Sequence, residues 1–91
     1  MKAAILIGNI WATRKTESLG GYKLMLAQTM GGATEGEVMV VVDTIGAGIG
    51  DRVIIATGSS ARKMLGDDQS AADAAIVGII DEDCRLSFEG E

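Results

Sequence analysis

The sequence predicts one mainly β domain, a small OB-like Greek-key β-barrel with one short helix, and three observations support this prediction. The chain has 91 residues, the size of a single domain spanning residues 1–91. Its aliphatic runs have the length of strands, and glycine-rich segments separate them. It contains 13 glycines and no proline, so its tight turns depend on glycine, asparagine and aspartate. A β-sandwich is the alternative architecture.

The first two predicted strands are long aliphatic segments. Residues 2–13 form an apolar run that is long for one strand and has a natural bend at Gly8-Asn9. A long bent strand suits a small barrel, because one strand can turn a corner and pair with two neighbours. Residues 22–30 alternate as a second strand does, and a glycine-rich surface turn follows over residues 31–37.

The centre of the chain is a pair of aliphatic strands joined by a glycine-rich loop. Residues 38–42 are a valine-rich run, which favours a strand covered on both faces, and residues 52–56 form the second aliphatic run. The connecting loop holds Gly46, Gly48 and Gly50, which allow unusual backbone angles and let another chain approach closely. We expect this loop to be either a hairpin connection or a contact site.

The remaining elements are a short helix and the last strands. Gly58, Ser59 and Ser60 have the chemistry of a helix N-cap, and Gly66 is a suitable terminator after residues 61–65. Residues 73–80 are predicted to be the last core strand. An acidic turn follows at residues 81–83, and residues 84–88 are a candidate edge strand.

The composition predicts an oligomer. Hydrophobic residues make up 47% of the chain, but only three are aromatic, so small aliphatic side chains must supply most of the packing. A domain of this size buries a modest core, and its surplus apolar surface is most simply covered by subunit contacts. No predicted edge strand is protected by proline, which leaves the edges open to pairing with another chain.

The sequence also favours a cytoplasmic protein. A single cysteine, Cys84, excludes an intramolecular disulfide, and the N-terminus lacks the order of segments typical of a signal peptide. No apolar run approaches the ~18 residues of a membrane span. We therefore expect no membrane partner.

Catalytic, cofactor and metal sites are not predicted. The chain has no histidine, which removes an imidazole base and an ordinary zinc site. The spacing of the loop glycines is not that of a dinucleotide-binding motif, and the loop leads into a strand. Asp43 and Asp51 are interpreted as turn-capping residues, and Cys84 as a small hydrophobic residue near a strand. Ser60-Ala61-Arg62-Lys63 is interpreted as a serine cap on a helix with a solvated basic face.

Two binding functions remain as alternatives to a structural role. Gly58, Ser59 and Ser60 could present amide and hydroxyl donors to an anion or small ligand. An OB-like barrel also suggests single-stranded nucleic acid, which such barrels bind with basic grooves and stacking aromatic residues. The net charge of −5 and the three aromatic residues argue against nucleic acid.

Several segments, in the family's order, closely resemble the EutN/CcmL family of bacterial microcompartment vertex proteins. They are Gly8-Asn9-Ile10-Trp11-Ala12-Thr13-Arg14-Lys15, Leu19-x-Gly21-x-Lys23-Leu24, Val42-Asp43-Thr44-Ile45-Gly46-Ala47-Gly48-Ile49-Gly50-Asp51, Thr57-Gly58-Ser59-Ser60-Ala61-Arg62 and Asp73-Ala74-Ala75-Ile76-Val77-Gly78-Ile79-Ile80-Asp81. The resemblance implies a homopentamer of OB-like barrels at the five-fold corners of a polyhedral shell, in contact with hexagonal shell proteins, without catalysis or cofactor.

The resemblance also implies two contact elements, near the five-fold axis or between subunits. The residues concerned are Gly46, Ala47, Gly48, Ile49 and Gly50 in the loop, and Thr57, Gly58, Ser59, Ser60 and Arg62 around the helix start. We expect residues 57–60 to line the axial opening, because small polar groups gathered around an axis leave a narrow hydrophilic channel. The sequence leaves the type of microcompartment open.

Overall fold

A computed structural model describes residues 1–11, 21–66 and 73–86. Within these residues the chain forms five strands and one helix. They are β1 (Lys2–Ile10), β2 (Lys23–Met30), β3 (Val38–Asp43), β4 (Arg52–Thr57), α1 (Ser59–Leu65) and β5 (Ala74–Ile79).

The five strands close into a barrel in the order β1-β2-β3-β5-β4, with β1 paired to both β2 and β4. All pairs are antiparallel except β3 with β5, whose parallel ladder contains one residue pair, Val42 with Ala75. This crossover is the Greek-key feature that the sequence predicted, and the barrel rather than the sandwich is confirmed. No helix in the described ranges is long and apolar enough to cross a membrane.

The first strand bends one or two residues earlier than predicted. Its register against β2 shifts between Leu6 and Gly8, so Ile7 is the extra residue of a bulge. The bulge turns the strand, and its first half can therefore pair with β4 as well. The predicted extension of this strand to Thr13 lies outside the described residues, and the observed strand ends at Ile10.

Two packing clusters hold the barrel together. The first fills the interior with side chains from every strand, the largest of which are Leu6, Met25, Val41, Val53, Ile55 and Ile76. The second lies on the outer surface, where Ala61 and Leu65 of α1 pack over Leu24, Val42 and Ala75. The helix therefore covers one part of the outer barrel wall.

The prediction that β3 is covered on both faces is wrong for the single chain. Side chains alternate along the strand, so Val41 points inward and Val38, Val40 and Val42 point outward. The helix reaches only Val42, and Val38 and Val40 stay 49% and 50% exposed. A continuous valine run does not by itself show how far the covering helix extends.

Glycine rather than serine stands at the N-cap of α1. Gly58 occupies the cap position with φ 62° and ψ −138°, and no side chain caps the helix. Its own N–H donates to the carbonyl oxygen of Asp73 at 2.7 Å, which ties the helix start to the beginning of β5. At the other end Gly66 adopts the left-handed conformation, as predicted.

The segment after β5 is held against β4 by one arginine. Arg52 Nη2 donates to the carbonyl oxygens of Asp81, Glu82 and Cys84 at 2.7, 3.3 and 2.8 Å. The acidic turn is confirmed, since the Cys84 amide donates to the Asp81 carbonyl at 3.0 Å. Residues 84–86 form no strand, the end of the predicted edge strand lies outside the described residues, and Cys84 is exposed rather than packed.

Candidate functional site

The glycine-rich loop between β3 and β4 closes one end of the barrel. Ala47 lies at its centre, is 1% exposed and belongs to the interior cluster. Lys23 Nζ, at the start of β2, donates to the Ala47 carbonyl at 2.7 Å. The loop is therefore anchored to the barrel through Ala47, within its glycine-rich stretch.

Lys23 also pairs with a buried carboxylate. The Lys23 Nζ–Asp43 Oδ2 distance is 3.2 Å, and the Asp43 side chain is fully buried while that of Lys23 is about half exposed. Asp43 Oδ1 accepts the Ile45 amide at 3.0 Å, whereas Oδ2 accepts no hydrogen bond among the described residues. Lys23 is thus the cationic partner of the buried Asp43 carboxylate.

The far side of the loop is anchored to β1. Asp51 Oδ2 accepts the Gly48 amide at 2.8 Å, and the Gly50 amide donates to the Leu6 carbonyl at 2.8 Å. The Leu6 amide in turn donates to the Asp51 carbonyl at 2.9 Å, which extends the β1–β4 ladder into the loop. Asp43 and Asp51 therefore both accept loop amides, as the turn-capping interpretation predicted.

The three loop glycines differ in what they require. Gly46 and Gly50 have φ values of 84° and 92°, a backbone conformation that residues with a side chain rarely adopt. Gly48 has no such angle, and a Cβ built on it would lie 3.9 Å from Asp51 Oδ2, an ordinary contact. Nothing described within the single chain therefore requires a glycine at position 48.

The anchored loop presents two isoleucines to solvent. Ile45 and Ile49 are 47% and 61% exposed, on either side of the buried Ala47. The sequence analysis named Ile49 among the expected contact residues but not Ile45, which is similarly exposed. The exposed positions could have been found from the alternation of large aliphatic residues with small ones in this loop.

The second predicted contact element begins at the end of β4. Thr57 is the last residue of the strand, and Ser59 and Ser60 are exposed on the first turn of α1. Arg62 is partly buried on the same helix. The two contact elements pack differently, because Ala47 belongs to the barrel interior and Ala61 to the cluster under the helix.

Further apolar residues are exposed on the barrel wall. They include Val38 and Val40 on β3 and Ile54 on β4, which is 37% exposed. Ile79, at the end of β5, is 42% exposed but pairs with the inward-facing Val53. Sequence reasoning did not single these residues out, because their strands read as fully apolar. Their exposure emerges only when the strand order and the position of the helix are known.

Sites for small ligands have little support in the geometry. The described residues contain no group of three or more cysteine, aspartate or glutamate side chains that could hold a metal ion. A mainly apolar cleft of about 430 Å³ lies beside Asn9, Trp11 and Tyr22, and the helix-start residues considered for anions, Gly58, Ser59 and Ser60, do not line it. The ligand-binding and nucleic-acid alternatives stay predictions.

Comparisons with known proteins match most of the chain to one family. The family model "Ethanolamine utilisation protein EutN/carboxysome" matches residues 1–81. The chain is 47% identical over 78 residues to the bacterial microcompartment shell vertex protein GrpN of Rhodospirillum rubrum (strain F11), covering 84% of this chain and 88% of the relative. It is 40% identical over 85 residues to the carboxysome shell vertex protein CcmL of Synechocystis sp. (strain ATCC 27184 / PCC 6803 / Kazusa), covering 89% and 83%.

Solved structures share the fold over nearly the whole chain. A structure of "Ethanolamine utilization protein, EutN" superposes with a TM-score of 0.84 at 33% identity, covering 97% of this chain and 94% of that one. The "GrpN pentameric microcompartment shell protein from Rhodospirillum rubrum" superposes with a TM-score of 0.78 at 41% identity, covering 94% and 100%. The chain belongs to the EutN/CcmL family of structural, non-enzymatic shell vertex proteins of bacterial microcompartments.

Proposed function

We propose that five copies of this chain form a ring that occupies the five-fold vertices of a microcompartment shell. The observation that carries this proposal is the likeness to the pentameric GrpN shell protein, which this chain matches over the full length of that structure. The exposed isoleucines and valines of the loop and the barrel wall support it, because they are apolar surface available for subunit contacts.

The ring would meet hexagonal shell proteins at its rim. A sheet of hexagonal units tiles a plane, and it closes into a polyhedron only where five-fold units replace six-fold ones. A chain that builds a pentamer therefore supplies the curvature that hexagonal units lack. Its proposed function is geometric and requires neither a cofactor nor a reacting group.

The loop and the helix start are the contact elements in this proposal. Ile49 and its neighbour Ile45 would supply apolar contact from a loop whose shape is fixed before assembly by Lys23, Asp43 and Asp51. Such preorganisation lowers the entropy cost of binding. Residues 57–60 would line the axial opening, an arrangement supported by the exposed hydroxyls of Ser59 and Ser60.

Shell closure tests the proposed function. The chain is co-expressed with hexagonal shell proteins encoded in the same genome, and the particles are imaged by negative-stain electron microscopy. We expect closed polyhedra that contain the chain, and open sheets or tubes when the chain is omitted. Equal numbers of closed shells in both preparations, or shells from which the chain is absent, would contradict the proposal.

A further inference from the structure

We infer that neighbouring subunits of the ring meet head to tail through two different patches of the barrel wall. The β3 patch consists of Val38 and Val40, and the β4–β5 patch consists of Ile54 and Gly78. The inference rests on the proposed pentamer and deepens it by naming the surfaces that join one copy to the next.

Symmetry requires two different patches. A two-fold contact uses the same patch on both partners, so it joins subunits in pairs and cannot build a ring with an odd number of members. A five-membered ring therefore needs a head-to-tail contact, in which one patch of each subunit meets a different patch of the next. The chain must carry two complementary surfaces that do not overlap.

The β3 patch is an uncovered apolar surface on a rigid strand. Val38 and Val40 lie on the outer face of β3, opposite the buried Val41, and the helix covers only Val42 farther along. Their cross-strand neighbours on β2 are Gln28 and Leu26. The patch is therefore a flat surface of β-branched side chains that the rest of the described chain leaves exposed.

The β4–β5 patch contains a notch. Ile54 lies on the outer face of β4, between the buried Val53 and Ile55, and its cross-strand partner on β5 is Gly78. A Cβ built on Gly78 would lie 3.7 Å from Ile54 Cδ1, an ordinary contact, and Gly78 has no positive φ. The subunit itself therefore has no described need for glycine there.

A glycine in a strand often marks a place where another backbone approaches closely. Gly78 leaves a gap beside Ile54, into which a β-branched side chain of a neighbour could fit. This shape, together with the likeness to a pentameric shell protein, favours a second copy as the occupant.

Mixing two variants tests the head-to-tail contact. Val40→Lys removes the β3 patch and Ile54→Lys removes the β4–β5 patch, so each variant alone loses the five-chain species. Mixed together, each pair retains one intact contact, and sedimentation velocity shows a species of two chains that grows with concentration. Met64→Lys is the matched control, because Met64 is 40% exposed on α1 outside both patches, and it keeps the wild-type mass.

Circular dichroism establishes that each variant is folded. If a lysine variant lacks the spectrum of the folded chain, Val40→Ser or Ile54→Ser, which add no charge, replaces it in the same mixing experiment. Gly78→Leu fills the notch and is expected to keep the folded spectrum but lose the five-chain species.

Three results would overturn the inference. They are a five-chain mass for folded Val40→Lys, the same mass for Gly78→Leu, and a mixture that stays monomeric at the highest concentration reached. A wild-type chain that is not a pentamer would instead contradict the proposed function, so the two failures are distinguishable.

Discussion

At the scale of single residues, the buried Asp43 determines how the loop is held. Its carboxylate lies inside the barrel end, with an ion pair to Lys23 and one loop amide as its partners in the described chain. Burying a charge without a partner costs free energy of folding. Lys23 therefore stabilises the fold mainly because it prevents the Asp43 carboxylate from being buried unpaired, and less through the attraction itself. The same lysine holds the Ala47 carbonyl.

Lys23→Met tests this role. We expect a loss of about 1–3 kcal/mol in the free energy of unfolding, because the buried Asp43 carboxylate loses its ion pair and the Ala47 carbonyl loses its donor. The value stays below that of a fully buried pair because Lys23 is half exposed. Urea denaturation measures it, with Lys63→Met on the exposed surface of α1 as the control. Equal stability for the two variants would show that solvent replaces the lysine.

The loop glycines give a second test at this scale. Gly46→Ala places a side chain in the left-handed region and is expected to cost about 1–2 kcal/mol of unfolding free energy. Gly48→Ala has room for its Cβ and is expected to change stability far less. Thermal unfolding compares them. Equal losses would mean that the backbone angle is not the cause.

Gly48 also separates folding from assembly. Gly48→Val is expected to keep the circular dichroism of the folded chain and to lose the five-chain species, because the open space at this position would be occupied by a neighbouring subunit. Light scattering measures the mass. An unaltered oligomer would show that the loop is an ordinary turn.

At the scale of elements, α1 illustrates how tertiary contacts form a helix that could not exist alone. Seven residues are too few for an independent helix, so its stability comes from Ala61 and Leu65 against the barrel and from the glycines at its ends. Gly58 provides a backbone angle that other residues seldom reach.

Two substitutions at the helix start distinguish backbone geometry from side-chain capping. Gly58→Ala is expected to cost about 1–3 kcal/mol of unfolding free energy through strain at φ 62°. Ser60→Ala is expected to stay within about 0.5 kcal/mol, since no serine caps the helix. Urea denaturation compares the two. A larger loss for Ser60→Ala would restore the serine-cap interpretation.

The elements also show where sequence reasoning succeeds. The β-branched runs at residues 38–42 and 52–56 and the helix terminator Gly66 follow from local preferences, and all lie where they were expected. The exposure of Val38 and Val40 depends instead on how far α1 extends over β3, which is a tertiary property. The predicted serine cap is wrong because Gly58 occupies the N-cap position of α1. Composition does not decide which of several adjacent residues caps a helix.

At the scale of the whole molecule, closing the barrel removes most sheet edges but leaves apolar side chains on the wall. Val40 and Ile54 lie on different strands, and Ile49 lies on a loop fixed to the barrel end. The sequence predicted this surplus from its high aliphatic content and small size. It could not assign the surplus to particular faces, because that depends on the strand order.

The absolute mass of the purified protein distinguishes a pentamer from a monomer. Native mass spectrometry, or light scattering coupled to size-exclusion chromatography, is carried out over a range of protein concentrations. We expect a species of five times the 9.4 kDa chain. A stable monomer at every concentration would contradict this expectation and would favour the ligand-binding alternative.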